Sequence, residues 1–173
     1  MTREKILRHR IRFLVGILIV GLVLSGATAI PLQRELDFAA RVLGAADGAG
    51  ASPESGLVHW IVKVRDGLND AYAKYPFLAY GTDWLAFGHF VIAIAFIGLW
   101  RDPVRNSWLI RFGLIACVLI VPYAFVFGQL RGIPLYWRLI DCSFGIFGLV
   151  PLWLCRRYVN ELAVLKSQSA NGA

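Results

Sequence analysis

Several chemical signatures are missing from this sequence of 173 residues. It has no CxxC pair, no zinc-ligand spacing, no phosphate-binding glycine loop, no GxSxG or HExxH motif and no internal repeat. These are the short motifs by which zinc, nucleotide and many hydrolase sites are recognised. No function can therefore be read from a motif, and no metal site is predicted.

Cysteine is scarce, and its placement is informative. Cys117, Cys142 and Cys155 all fall within apolar stretches, and no polar loop contains a cysteine. An odd number of cysteines in such positions does not indicate a disulfide framework. We expect all three to be small, polarizable packing residues.

Charge is the other deficit. Only 17% of the residues are charged, whereas 58% are hydrophobic and the mean hydropathy is +0.61. Soluble domains are roughly 45–50% apolar, and so few charged side chains cannot cover the excess apolar surface in water. The sequence therefore predicts an all-α integral membrane protein whose solvent is the bilayer.

Four stretches predict transmembrane helices, at about 13–31, 84–100, 111–130 and 135–155. A span needs about 20 residues, but only 14 uncharged residues separate Asp141 from Arg156. The fourth span is therefore predicted to begin at Leu135 and to carry Asp141 into the membrane. Together the spans predict a four-helix bundle that forms a single membrane domain over residues 1–173.

The first span allows two interpretations. Gly21, Ser25 and Ala29 form a stripe of small residues that lets another helix approach closely. The basic start and Ala27-Thr28-Ala29 are also typical of a signal peptide whose cleavage would remove residues 1–29. A retained span is favoured because the uncharged run reaches spanning length.

Residues 32–82 are the one sizeable polar segment, and they predict two amphipathic helices that form an extracytoplasmic cap. Pro31 can open the first helix, and Gly44–Gly56 has the composition of a flexible loop. Leu57, Ile61 and related positions give the second helix an apolar face opposite a charged one. Pro76 ends it.

The distribution of charge predicts the orientation. With the N-terminus in the cytoplasm, the inner segments, including the tail 156–173, hold 11 of the 18 lysines and arginines but only 3 of the 11 acids. Such an excess marks the cytoplasmic side. We therefore interpret the net charge of +7 as complementary to the anionic lipids of the inner membrane, and not as a sign of nucleic-acid binding.

Ionisable residues within spans are the candidate site, because they are costly there. Five lie near the outer leaflet: Asp83, His89, Arg131, Arg138 and Asp141. They could form a proton or ligand site, in which His89 transfers protons. The structural interpretation is favoured, with Arg138 paired to Asp141 one helical turn away.

Haem is disfavoured as a cofactor. A bis-histidine haem needs two histidines inside the bundle, and only His89 lies in a predicted span. His59 falls on the polar face of its helix. The cofactor, if there is one, stays unknown.

The stretches Tyr75–His89, Arg101–Asn106 and Arg131–Ser143 resemble an uncharacterised group of small four-span bacterial membrane proteins. The resemblance implies the same fold, and it implies no activity, ligand or partner.

Two functions remain open. The first is a non-enzymatic accessory or assembly subunit of the inner membrane that interacts with lipids and other membrane components. The second is a transporter, or a redox or lipid-modifying enzyme. The first predicts that Asp141 and His89 lie in closed pairs, whereas the second predicts a cavity within reach of His89.

Overall fold

The computed structural model describes residues 2–45 and 56–171. Within them all regular structure is helical: α1 Arg3–Ala29, α2 Leu32–Val42, α3 Leu57–Lys74, a 3-10 turn Pro76–Ala79, α4 Tyr80–Arg101, α5 Trp108–Leu130 and α6 Leu135–Asn171. The predicted all-α class is confirmed. The predicted flexible loop falls mostly at 46–55, outside the described residues.

Four of these segments are long and apolar enough to cross a membrane: Arg3–Ala29, Pro76–Arg101, Trp108–Leu130 and Leu135–Ser169. The fourth helix begins at Leu135, as the length argument predicts. The helix extends past the predicted span into the predicted tail and ends at Asn171, which gives it a total of 37 residues. At 1.5 Å per residue it is about 55 Å long, which exceeds the roughly 30 Å bilayer core.

The chain divides into two compact units, Met1–Gly21 with Ile92–Ala173, and Leu22–Val91. The first unit has a core of fully buried aliphatic side chains, among them Leu7, Ile11, Leu99, Ile110 and Leu162. Two of the three cysteines, Cys142 and Cys155, are buried and all three are free, as expected of packing residues.

The start of α1 contacts the C-terminal half of α6 in the first unit. The guanidinium of Arg3 lies 2.6 Å from the carboxylate of Glu161. One turn deeper, Arg10 stacks over the ring of Tyr158 at 5.6 Å. These two segments therefore lie side by side.

Helices α5 and α6 pack closely where glycines lie at their contact. A Cβ on Gly145 would lie 2.7 Å from the carbonyl oxygen of Cys117, and one on Gly148 would lie 2.8 Å from the Cys117 sulfur. Farther along, a Cβ on Gly113 would lie 2.7 Å from Leu152. Small residues at helix crossings let backbones approach closely, which is how helices associate in lipid.

The turn between α4 and α5 is fastened by Asn106. Its side-chain amide donates to the carbonyl oxygens of Gly98 and Asp102, both at 3.0 Å. The Gly98 carbonyl lies in the last turn of α4 and the Asp102 carbonyl lies just after it, and each also accepts a backbone N–H, from Asp102 and from Asn106. Asn106 thus adds a second donor to each carbonyl and fixes the turn.

In the second unit, α2 and α3 are linked by a 3.0 Å hydrogen bond from the amide of Gln33 to that of Asn69. Helices α1 and α4 meet at Gly26, where an added Cβ would lie 2.9 Å from the ring of Phe90 and 3.0 Å from the carbonyl oxygen of Ala86. The close approach on α1 therefore occurs at Gly26, which follows Ser25 and is not a member of the predicted stripe Gly21, Ser25 and Ala29.

Candidate functional site

Arg138 is held at the turn that joins α5 to α6. The last turn of α5 closes around Gly132, whose φ is +67°. Ile133 and Gly132 then donate backbone N–H groups to the carbonyls of Gly128 and Gln129, at 2.8 and 3.2 Å. This is a Schellman motif, which leaves the Ile133 carbonyl directed back toward α6.

The Arg138 side chain contacts both the turn and α5. Its Nε donates to the carbonyl oxygen of Ile133 at 2.8 Å, and its aliphatic stem fills the space above Gly128. A Cβ on Gly128 would lie only 2.6 Å from Cδ of Arg138. Arg138 is therefore a structural link between α5, the turn and α6.

Asp141 does not pair with Arg138. Its carboxylate is half-buried on α6, and among the described residues it has no ion pair or hydrogen-bond partner. The two residues are three positions apart, as an ion pair on one helix face requires. The Ile133 carbonyl takes the Arg138 guanidinium instead, because the turn brings that oxygen within reach.

Arg131 is the last residue before the turn glycine and is exposed. It closes α5 through its backbone N–H, which donates to the carbonyl of Phe127 at 3.0 Å. Within the described part of the chain its side chain has no ion-pair or hydrogen-bond partner. The first unit thus contains Arg131, Arg138 and Asp141, with a separate environment for each.

Asp83 lies in the second unit, in the first turn of α4, and is exposed. It borders an open groove of about 260 Å³ with three aromatic residues. The rings of Tyr80 and Trp84 meet edge to face at 5.9 Å, and those of Trp84 and Phe87 at 5.5 Å. Exposed aromatic side chains at a helix end are typical of the membrane–water interface.

His89 lies two turns further along α4. Its Nδ1 is 2.8 Å from the carbonyl oxygen of Leu85, one turn earlier on the same helix. As a donor to that carbonyl, the imidazole bonds within its own helix rather than to another helix. His89 does not line the groove beside Asp83, and its Cβ instead contacts α1 at the Gly26 crossing.

Among the described residues Asp141 has no closed pair, and His89 is not in the lining of the groove on α4. A functional role for these residues stays a prediction. The stripe of small residues is mostly open: Gly21 and Ser25 are exposed, and Ala29 is half-buried. An added Cβ on Gly21 would meet no atom within 4 Å.

No protein-family model, curated protein or solved structure matches the chain. The chain's own residues therefore carry the functional inference.

Sequence reasoning missed Gly128 and Asn106. Nothing in the apolar run of α5 distinguishes Gly128 from its other glycine, and its role depends on Arg138 reaching back over it. The position of Asn106 in the turn could have been predicted, because Asn106 follows a helix end and the helix-breaking pair Asp102-Pro103.

Proposed function

We propose that the protein is a four-span protein of the bacterial inner membrane with both termini in the cytoplasm. The contact between Arg3 and Glu161 supports this topology, because an even number of spans must return the chain to the side from which it started. The excess of basic residues in the terminal segments and in the α4–α5 turn supports the orientation.

Within that membrane, we propose that it acts as a non-enzymatic accessory or assembly subunit. The sequence led us to expect that an accessory subunit would pair Asp141 within its own chain, but the half-buried carboxylate has no partner among the described residues. We therefore propose that another protein completes the pair, and this observation carries the proposal. A charged group within a span is costly unless it finds a partner. A donor on the helix of another membrane protein supplies that partner, since polar side chains link helices across membrane interfaces.

The exposed stripe on α1 supports the same proposal. Gly21 and Ser25 present almost no side chain above the helix surface, and both are exposed among the described residues. A partner helix can approach closely there. The proposed subunit thus offers its partners one apolar contact surface, on α1, and one polar contact, at Asp141.

The test is the substitution Asp141→Leu, followed on native gels of mildly solubilised membranes. The unsubstituted chain is expected to migrate in a complex larger than itself, and Asp141→Leu is expected to release it. The purified variant should be at least as stable as the original, because an unpartnered carboxylate has been removed. Phe144→Leu is the control: it keeps an apolar side chain at an exposed position one turn from Asp141 on the same helix face. Because it changes shape but not charge, it should leave the complex largely intact.

Two results would contradict the accessory role. One is an unsubstituted chain that migrates alone, and the other is a complex that persists in Asp141→Leu. The Asp141→Leu and Phe144→Leu variants must both retain the helical circular dichroism of the original for the comparison to count.

The alternative is a transporter or a redox or lipid-modifying enzyme, and the groove beside Asp83 is the observation that favours it. Its aromatic walls and single carboxylate could take an amine or a quinone ring. Under this alternative a lipid or quinone co-purifies with the original chain and is lost from Asp83→Asn, while the native-gel complex is unaffected.

A further inference from the structure

A small cavity lies between the start of α5 and the C-terminal half of α6, in the first unit. Its volume is about 80 Å³, and it is lined by Ser107, Ile110, Arg111, Arg156, Val159 and Asn160. Ile110 and Val159 are each 2% exposed and form its apolar base. Two arginines, an amide and a hydroxyl supply the polar side, so the cavity suits a small polar group rather than an acyl chain.

The two arginines are distinguished by lining one cavity together. Arg111 and Arg156 have no ion pair, hydrogen bond or ring contact among the described residues. Arg101, Arg105 and Arg131 of the same unit also have no side-chain partner among the described residues, but they do not line the cavity. By contrast, other arginines near this end of the bundle are engaged by a carboxylate or an aromatic ring: Arg3 with Glu161, Arg8 with Glu4, Arg10 with Tyr158, Arg12 with Trp100 and Arg157 with Trp153.

Arg111 and Arg156 both line the cavity and no acidic residue does, so an anion bound there is attracted by two positive charges and opposed by none in the lining. A guanidinium matches phosphate in particular, because its planar fork donates two parallel hydrogen bonds to two oxygens. Asn160 and Ser107 add neutral donors at the same cavity. We propose that this cavity binds a phosphate group, held between Arg111 and Arg156.

The proposed topology indicates the source of that phosphate. It puts the start of α5 at the cytoplasmic interface, where Trp108 is 59% exposed, as is usual for a tryptophan at headgroup level. Basic pockets between spans on that side bind the headgroups of anionic lipids. An anionic phospholipid headgroup is the expected source, and free phosphate has the same chemistry. The inference does not depend on the accessory role or on Asp141.

The test compares the affinity of the full-length, detergent-solubilised chain for three probes, measured by native mass spectrometry. The probes are dioleoylphosphatidylglycerol, dioleoylglycerol, which has the same chains without phosphate, and inorganic phosphate. The variants are R111Q/R156Q and the charge-matched control R101Q/R105Q, whose arginines are exposed and do not line the cavity.

Phosphatidylglycerol should bind the original chain at least tenfold more tightly than it binds R111Q/R156Q, because at least one charged hydrogen bond is lost. R101Q/R105Q should stay within about twofold of the original, since its lost charges act only through screened solvent. Dioleoylglycerol should show no difference among the three chains. Arginine-dependent binding of inorganic phosphate alone, with no gain from the lipid, would assign the site to free phosphate.

The proposal is overturned if phosphatidylglycerol binds R111Q/R156Q as tightly as the original, or if R101Q/R105Q loses the same affinity. If R111Q/R156Q does not fold, R111K/R156K replaces it. That variant keeps both charges but loses the bidentate geometry. It should therefore bind phosphatidylglycerol more weakly than the original and R101Q/R105Q do, but still measurably. Full affinity in R111K/R156K would contradict the proposed recognition.

Discussion

Gly145 and Gly148 lie close together where α5 and α6 cross. We predict that a second substitution, Cys117→Ala, restores the stability lost in Gly148→Ala but not the stability lost in Gly145→Ala. An alanine Cβ at Gly145 would lie 2.7 Å from the backbone oxygen of Cys117, and one at Gly148 would lie 2.8 Å from its side-chain sulfur. The backbone oxygen can move only if α5 moves, whereas the sulfur can be removed by the substitution Cys117→Ala.

Each glycine-to-alanine change should destabilise the hairpin by overpacking, at about 1–3 kcal/mol. The greater helix propensity of alanine offsets up to about 1 kcal/mol of that cost, which leaves a net loss of about 1–2 kcal/mol. Cys117→Ala should restore most of the loss in Gly148→Ala and none of it in Gly145→Ala. The corresponding coupling energies are about 1–2 kcal/mol and about zero.

The assay is unfolding of the purified chain in mixed micelles with a rising fraction of dodecyl sulfate, followed by far-ultraviolet circular dichroism. Gly16→Ala is the control, because an added Cβ there meets no atom within 4 Å and the substitution should be neutral or stabilising. Equal rescue of Gly145→Ala and Gly148→Ala would refute the reasoning, as would stability equal to that of the original chain in both.

Three further substitutions test single contacts by the same unfolding assay. Asn106→Ala removes a donor from two carbonyls at the end of α4 and should cost about 1–3 kcal/mol; a loss below 0.5 kcal/mol, roughly the scatter of surface changes, would contradict its role in the turn. Arg138→Met keeps an aliphatic stem over Gly128 but leaves the Ile133 carbonyl without its donor. It should therefore be destabilising by about 1–3 kcal/mol. If Arg138 acted instead through an ion pair with Asp141, Asp141→Asn would be equally destabilising. Gly26→Leu should prevent folding, because the added side chain meets the Phe90 ring and the Ala86 backbone; a folded variant would show that α1 and α4 do not cross there.

The sequence was sufficient for the elements whose ends depend on local chemistry. The all-α class and the four long apolar helices follow from composition and from uncharged run lengths. Leu135 was predicted as the start of the last helix because 14 uncharged residues are too few for a span. Pro76 correctly marks the end of α3, which finishes at Lys74.

The helix crossings could not be found in the same way. In a chain that faces lipid, the packed side and the exposed side of a helix are both apolar, so periodicity does not reveal its rotation. Gly21 and Gly26 look alike in the sequence, yet only Gly26 is buried against another helix. The choice between them is made by the long-range fit of α1 to α4.

The partners of the polar residues could not be predicted without the backbone conformation. Helical spacing alone pairs Arg138 with Asp141, but the left-handed Gly132 turns the Ile133 carbonyl toward Arg138 and gives it a nearer acceptor. Arg111 and Arg156 are 45 positions apart in the chain. Only the antiparallel packing of α5 on α6 brings them to the same cavity.

The central claim is a four-span membrane protein whose two ends share the cytoplasmic side, and labelling of introduced cysteines tests it most directly. Lys63→Cys and Ser167→Cys are exposed positions on α3 and near the end of α6. In intact cells a membrane-impermeant maleimide should label Lys63→Cys at once, and it should label Ser167→Cys only after the membrane is permeabilised. Labelling of Ser167→Cys in intact cells, or protection of Lys63→Cys, would contradict the account.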